Sequence, residues 1–412
     1  MEKKLIWLWL SLLYGEGTDI YGRLMTYFET EQDIYDCDDN DVASIQWLTD
    51  SQKRKLLDKN MEHAEEVWEW CLENDVEIIA YSDDKYPQSL RCIEKFPAIL
   101  YCKGKLPNFN EELSVSVVGT RSMSSYGQKI AFELGYTLSK GGAITVSGMA
   151  RGIDATVAHG TINALGTTVA VLGSGIDIVY PRENTALMNQ IIDYGAVITE
   201  FPPHTPPNGR NFPIRNRIIS GISNATVIVE GDENSGAMIT ARLAMQQQKL
   251  LFAVPGPVGV HTSKGTNMLL KEEKALVARY ATDVFAEFLK DYSDKIDLTK
   301  AKQRPSFIQR RKAIPDNSVD HAKKAKEIRK NVIETVKKFE EVFNDSEEKV
   351  DLSELSEVQL KIYNSMKKEE TYSVDQLVAL TGLSASEVMS NVSYLQIINR
   401  ITEFEGSLYA KN

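Results

Sequence analysis

Hydrophobic and polar positions follow two different periods along this 412-residue chain, and the change of period divides it. Up to about residue 105, apolar residues return every three to four positions, in 5–13, 21–28 and 56–72, which predicts helices. Two short strands are expected at the end of this part, 77–81 and 98–101, with a Tyr86-Pro87 turn between them. From Ser114 the pattern becomes short β-branched runs separated by helical stretches: 115–118, 143–147, 168–172, 196–199, 226–230 and 250–254. Strands that alternate with helices imply a parallel sheet with right-handed crossovers. Near-continuous apolar strands are what a sheet covered on both faces requires. The expected fold is α/β, a Rossmann-like, doubly wound and mainly parallel sheet over residues 106–289, behind a helical domain at 1–105.

The period changes again near the C-terminus. Residues 355–366 read as an amphipathic helix, and Ser373 with Gln376, then Ser384 with Glu387, have the capping-box spacing that starts two more. Gly382 is placed to end the first of these two. Residues 398–404 and 407–410 flank Glu405-Gly406 as a hairpin. Three helices and a hairpin suggest a small winged-helix-like domain over 351–412. Its third helix carries Glu387 and no arginine or lysine, poor equipment for a DNA groove, so a protein-contact or accessory role is expected. Residues 290–350 are polar and mixed in charge, with a basic stretch over 300–338 and a helical pattern over 322–343, and read as a solvated linker.

A net charge of −11 excludes a uniformly basic coat, so any polyanion site must be a local gathering of arginine and lysine. The four cysteines, Cys37, Cys71, Cys92 and Cys102, form no CxxC pair, and the five histidines are scattered. Reduced thiols of a cytoplasmic protein, with no metal centre, are expected. Lys3-Lys4 and the apolar run 5–13 superficially resemble a signal peptide. Trp7, Trp9 and Ser11 interrupt the run and no small-residue cleavage site follows, so it is read as a buried first helix. No segment is long and apolar enough to span a membrane.

In an open parallel sheet, ligands bind beyond the carboxyl ends of the strands, so the loop after each strand is the place to look. The first loop is Gly119-Thr120-Arg121-Ser122, followed by Tyr126-Gly127 at a helix start. The second is Ser147-Gly148-Met149-Ala150-Arg151-Gly152-Ile153-Asp154. The third is Gly173-Ser174-Gly175, with Tyr180-Pro181-Arg182 after it. The fourth runs over 200–213 and leads to Arg215-Asn216-Arg217, and the fifth ends in Ser235-Gly236. Glycine lets backbone amides approach a ligand, helix N-termini favour anions, and arginine grips phosphate oxygens in pairs. Loops carrying Arg121, Arg182, Arg215 and Arg217 at one sheet end describe a site for more than one phosphate. The spacing is not the GxGxxG of dinucleotide binders. Bland readings stand beside these. Arg217 pairs with Glu200 or Glu230 and merely holds the loops; Asp154 fixes a loop; His159 is a packed histidine. Of Tyr126, Tyr180, Phe201 and Phe212, some stack bases and at least two belong to the core.

The run Gly119-Thr120-Arg121…Ser125-Tyr126-Gly127, then Ser147-Gly148-Met149-Ala150-Arg151-Gly152-Ile153-Asp154…Ala158-His159, resembles the DprA/Smf family of DNA-processing proteins. So do Val171-Leu172-Gly173-Ser174-Gly175…Tyr180-Pro181, Phe212-Pro213-Ile214-Arg215-Asn216-Arg217-Ile218-Ile219, Ser235-Gly236…Thr240-Ala241 and Ala253-Val254-Pro255-Gly256. Tyr86-Pro87 and Pro97-Ala98-Ile99-Leu100 extend the resemblance towards the N-terminus, and the last unit extends it the other way. The resemblance implies a non-enzymatic, cofactor-free protein that binds and protects single-stranded DNA during natural transformation and loads a RecA-type recombinase onto it. It also implies a homodimer built mainly through the Rossmann-like domain. The family's DNA contacts fall on Arg121 and Arg182, and on Gly148 and Ser147. Thr120 stands where the family has serine, and 271–275 replace its usual Gly-Ala pair. Two alternatives are kept. One is a nucleotide-hydrolysing enzyme using Asp154, Glu200 or Glu230; the other is a nucleotide sensor with the C-terminal unit as output.

Overall fold

Burying a sheet on both faces requires apolar strands and helices on either side, and the first 290 residues supply both. In the computed structural model, residues 3–303, 355–367, 371–397, 401–404 and 408–411 are described. Nine strands join one sheet: β1 Glu77–Ala80, β2 Ile99–Gly104, β3 Ser114–Val118, β4 Ile144–Ser147, β5 Thr168–Val171, β6 Ala196–Thr199, β7 Ala225–Ile228, β8 Leu250–Ala253 and β9 Leu276–Val277. Their order is β1-β2-β6-β5-β4-β3-β7-β8-β9. From β6 through β9 the strands are parallel, while β1 and β2 pair antiparallel to each other and β2 antiparallel to β6. The expected α/β, mainly parallel sheet is therefore present.

Alternation along the strands divides the core. Val115, Val117, Val227, Val229 and Phe252 pack on one face with Leu134, Leu138, Val157 and Phe285. Val118, Ile228, Leu251 and Ala253 face the other way, with Ile218, Ile219, Met238 and Ala241. Hydroxyls within the strands pair across them, as Ser116 Oγ does with Thr226 Oγ1 at 2.8 Å and Thr145 Oγ1 with Thr168 Oγ1 at 3.0 Å, which offsets the cost of burying them. Helices Ser125–Lys140 and Ile153–Asn163 cross through glycines: a methyl on Gly135 would overlap the Val157 carbonyl, and one on Gly160 the Phe132 carbonyl. Gly160→Ala gains up to about 1 kcal/mol of helix propensity. It forces the helices apart at a cost of about 1–3 kcal/mol or more. We expect a net loss of about 1–2 kcal/mol in urea unfolding; an unchanged midpoint would contradict the close crossing.

The first helix, Lys3–Tyr14, buries Ile6, Trp7, Leu8, Trp9 and Leu10 in succession. Short helices follow it, and Thr30 with Asp33, Asp38 with Asp41, and Thr49 with Gln52 form capping boxes. The two strands expected before residue 105 are present, but they do not stand apart from the sheet. β2 is buried from Ile99 to Cys102 and pairs with β6, Tyr101 opposite Thr199 and Gly104 opposite Ala196. It covers amides that β6 would otherwise expose as an edge. At its end Gly104 has φ +92° and lies so close to the Gly195 carbonyl that a side chain would overlap it.

The chain divides into two compact units, Met1–Glu341 and Val342–Asn412. In the second, helices Glu357–Ser365, Val374–Thr381 and Ala385–Ile397 bury Ile362, Tyr363, Leu377, Val388, Val392 and Leu395. Ser373 and Gln376 form the expected capping box, Ser384 bonds Glu387, and Gly382 ends its helix in the left-handed conformation. The strands are β10 Thr371–Ser373, β11 Ile401–Phe404 and β12 Leu408–Lys411, in the order β10-β12-β11. β10 adds a third strand to the expected hairpin and is too short to show a period. The hairpin turn at Glu405-Gly406 and most of the 290–350 linker, with its 322–343 helical pattern, lie outside the described residues. No described helix is long and apolar enough to cross a membrane. Among the described residues no cluster of His, Cys, Asp and Glu could hold a metal ion.

Candidate nucleic-acid interface

The strand order reverses at β3, which lies between β4 and β7, so the switch point of the sheet opens between the loops after β3 and β7. The first loop is pinned at both ends. Thr120 N–H donates to the Glu230 carbonyl at 2.8 Å, and Ile153 N–H donates to the Thr120 carbonyl at 3.2 Å. Gly152, at φ +76°, lies against that carbonyl where a side chain would collide with it. The pinning leaves Arg121 and Ser122 exposed at the tip.

An aromatic pair meets this tip. The Arg121 guanidinium is 5.1 Å from the centroid of the Phe212 ring, within cation–π range. Phe212 in turn lies 5.4 Å from the Tyr180 ring, inclined at 33°. Gly173, on the third loop, makes room: a methyl there would stand 2.9 Å from the Phe212 ring. Tyr180 is 39% exposed and Phe212 half-buried, so the pair offers ring surface to solvent. Arg182 follows Tyr180-Pro181 and is exposed. Arg210 is also exposed and immediately precedes helix Asn211–Ile222, whose first residue donates its side-chain amide to the Gly173 carbonyl at 3.1 Å. Arg121 thus sits over the aromatic pair, and the exposed Arg182 and Arg210 each lie two residues along the chain from one of its rings.

Several residues expected at the ligand surface lie beneath it. Arg215 is buried and donates from Nη1 to the Gly148 carbonyl at 2.8 Å and to the Val171 carbonyl. Burial pulls its pKa down to about 10, with Asp154 opposing the fall and Arg121 adding to it. Gly148 must be small, because a methyl would sit 2.6 Å from that guanidinium. Asp154, also buried, accepts Gly148 N–H at 2.9 Å and faces the backbone N–H groups of Ala150 and Gly119. Burial raises its pKa, while Arg215 and these N–H groups pull it back. Ser147 is buried and bonded to the Asp154 carbonyl at 3.4 Å. Arg217 is buried in an ion pair with Glu200, whose pKa burial raises against the pull of Arg217. Of the two readings of Arg217, the structural one is found.

Arg215 and Arg217, expected as phosphate partners, thus lie within the scaffold, at most 6% exposed. The amide of Gly148 is likewise taken by Asp154, that of Gly127 by Ser124 Oγ at 3.0 Å, and that of Gly175 by the Thr205 carbonyl at 2.9 Å. Asn216 is half-buried and accepts from Arg215 Nε at 3.1 Å. Arg151 is exposed but paired with Glu183. Tyr126 is 39% exposed and its hydroxyl donates to the Pro255 carbonyl at 2.8 Å. Gly236 is exposed, whereas Ser235 is half-buried with its hydroxyl oxygen shielded from solvent, and the nearby acidic residues Asp232 and Glu233 disfavour a phosphate there.

A model of the DNA recombination-mediator protein A family matches residues 77–289. The chain belongs to this family. The matched region takes in all nine strands of the large sheet, β1 and β2 included. The DNA processing protein DprA of Bacillus subtilis is 36% identical over 216 residues, 52% of this chain and 72% of that protein. Protein Smf of Escherichia coli is 33% identical over 276 residues, 66% of this chain and 72% of its own length. The X-ray structure of DprA from Streptococcus pneumoniae superposes with a TM-score of 0.54 at 29% identity, covering 60% of this chain and 85% of that one. Sequence reasoning passed over one exposed residue in the family region, Arg210. Its signal was its place: a cation after Asn208-Gly209, at the end of the long fourth loop and immediately before a helix.

Proposed function

We propose that the protein binds single-stranded DNA along the rim formed by Arg121, Arg182 and Arg210, with bases against Tyr180 and Phe212. The observation that carries this reading is the exposed Arg121 guanidinium set on the Phe212 ring. Cations that track a backbone, next to ring faces that accept any base, are the two components of sequence-tolerant single-strand binding. A duplex hides its base faces, and the net charge of −11 supplies no wider basic surface to hold one. The acidic fifth loop directs the strand towards the first, third and fourth loops. The carboxylates that a nucleotide hydrolase would need, Asp154, Glu200 and Glu230, are each at most 5% exposed and engaged in hydrogen bonds or an ion pair.

Family membership supports the remainder of the reading. The protein acts in the cytoplasm as a homodimer, needs no cofactor, and places a RecA-type recombinase on incoming single strands during natural transformation. Two assays test the two levels. A labelled oligonucleotide should bind and be displaced by unlabelled single strands, but not by equal nucleotide concentrations of duplex or mononucleotide. Recombinase filaments should form faster on DNA precoated with single-strand-binding protein when this protein is added. Displacement by duplex at equal potency contradicts the first level, and no acceleration contradicts the second.

A further inference from the structure

The crevice at the switch point of an open α/β sheet is where nucleotides bind, and a helix N-terminus opening onto it is a natural seat for phosphate. Here that seat already holds an anion. Glu230 is 2% exposed and reaches from the end of β7 to the start of helix Ser125–Lys140. Its Oε2 accepts Ser124 N–H at 2.9 Å, and its Oε1 accepts the hydroxyls of Ser124 and, at 3.1 Å, of Thr262. Gly127, in the first turn of the helix, lies so close to the carboxylate that a methyl would overlap it. From the same turn Tyr126 donates to the Pro255 carbonyl at 2.8 Å, bridging the helix start to the loop after β8. The second loop repeats the pattern, with Asp154 taking the Gly148 amide at 2.9 Å.

We propose that Glu230 is a built-in substitute for a ligand phosphate, a specificity-determining residue that closes the switch-point crevice to phosphate monoesters and free nucleotides. An entering phosphate would have to displace the carboxylate from three hydrogen bonds. Alternatively it would bring a second negative charge into contact with it, a like-charge pairing that rejects ligands strongly. A phosphodiester strand crossing the rim need not enter. The exclusion stands on the crevice alone; its consequence, that a polymer is taken in preference to a nucleotide, rests on the single-stranded DNA reading.

Full-length wild type, Glu230→Gln and Glu230→Ala are compared by calorimetric titration and thermal melting with inorganic phosphate, AMP and an oligonucleotide. Wild type and the glutamine variant, which keeps the side-chain volume, should show no saturable binding of phosphate or AMP. The alanine variant frees the Ser124 and Thr262 donors and should bind phosphate at least about tenfold more tightly than wild type, with a matching rise in melting temperature. A folded alanine variant that gains no phosphate affinity overturns the proposal, as does saturable AMP binding by wild type. If the alanine variant does not fold alone, phosphate or acetate, but not chloride, should restore folding. Failure of both anions also overturns the proposal. Failure of the DNA reading is separate: wild type would not bind the oligonucleotide, while the phosphate contrast between variants would remain.

Discussion

Replacing Arg121 and Arg182 together by alanine lowers affinity for a fluorescent oligonucleotide by about two orders of magnitude near physiological salt. Both side chains are exposed, and among the described residues neither forms an ion pair, so both charges are available to phosphate. Arg121 has a second role, since its removal strips Phe212 of the cation above its ring and loosens a base-stacking surface. The effect is smaller than two buried contacts would give, because the free side chains are solvated and screened. Folding should be unaffected, so the melting temperature of the double variant stays within about a degree of wild type, as is usual for surface substitutions. Anisotropy titration reads the affinity. An unchanged value in the folded variant contradicts the assignment of the rim.

The second large effect is on stability. Arg217→Ala leaves the Glu200 carboxylate buried with no counter-charge, and removing one partner of such a pair costs about 3–5 kcal/mol. Burial already raises the Glu200 pKa against the pull of Arg217, so the single variant forces that group to take up a proton or to unfold. Replacing both, Arg217→Met with Glu200→Leu, should recover most of the loss, since an apolar pair of similar volume is often as stable as the ion pair. Urea unfolding measures both proteins. A loss below about 1 kcal/mol in the single variant would show that Glu200 is solvated rather than buried.

The sheet was legible because strands buried on both faces leave a strong mark: short β-branched runs with glycine-bearing turns at one end. The placement of β2 was not, since its antiparallel pairing with β6 joins residues almost a hundred positions apart. Arg215 and Arg217 show a different limit. The segment Phe212-Pro213-Ile214-Arg215-Asn216-Arg217 has the density of cations expected of a phosphate surface. Yet the partners that bury them, the Gly148 and Val171 carbonyls and the Glu200 carboxylate, come from three other segments. No local pattern distinguishes a guanidinium that meets carbonyl groups in the interior from one that meets phosphate in solvent. Glu230 was visible as a carboxylate at a strand end. Its hydrogen bonds to Ser124, 106 positions away, were not. The loop glycines were expected to let backbone amides approach a ligand; what lies against Gly148 and Gly127 is the protein's own guanidinium and carboxylate.

The central claim is that the exposed arginines of the rim, and not the buried ones of the helix behind it, hold the nucleic acid. The slope of log affinity against log salt tests it most directly, since each phosphate contact on a single strand contributes about 0.7. The account predicts that Arg121→Ala with Arg182→Ala and Arg210→Ala reduces the slope for an oligonucleotide by about 2, while Arg217→Met with Glu200→Leu keeps the wild-type value. Equal slopes for wild type and the rim variant, or a slope that falls in the buried-pair variant instead, would contradict it.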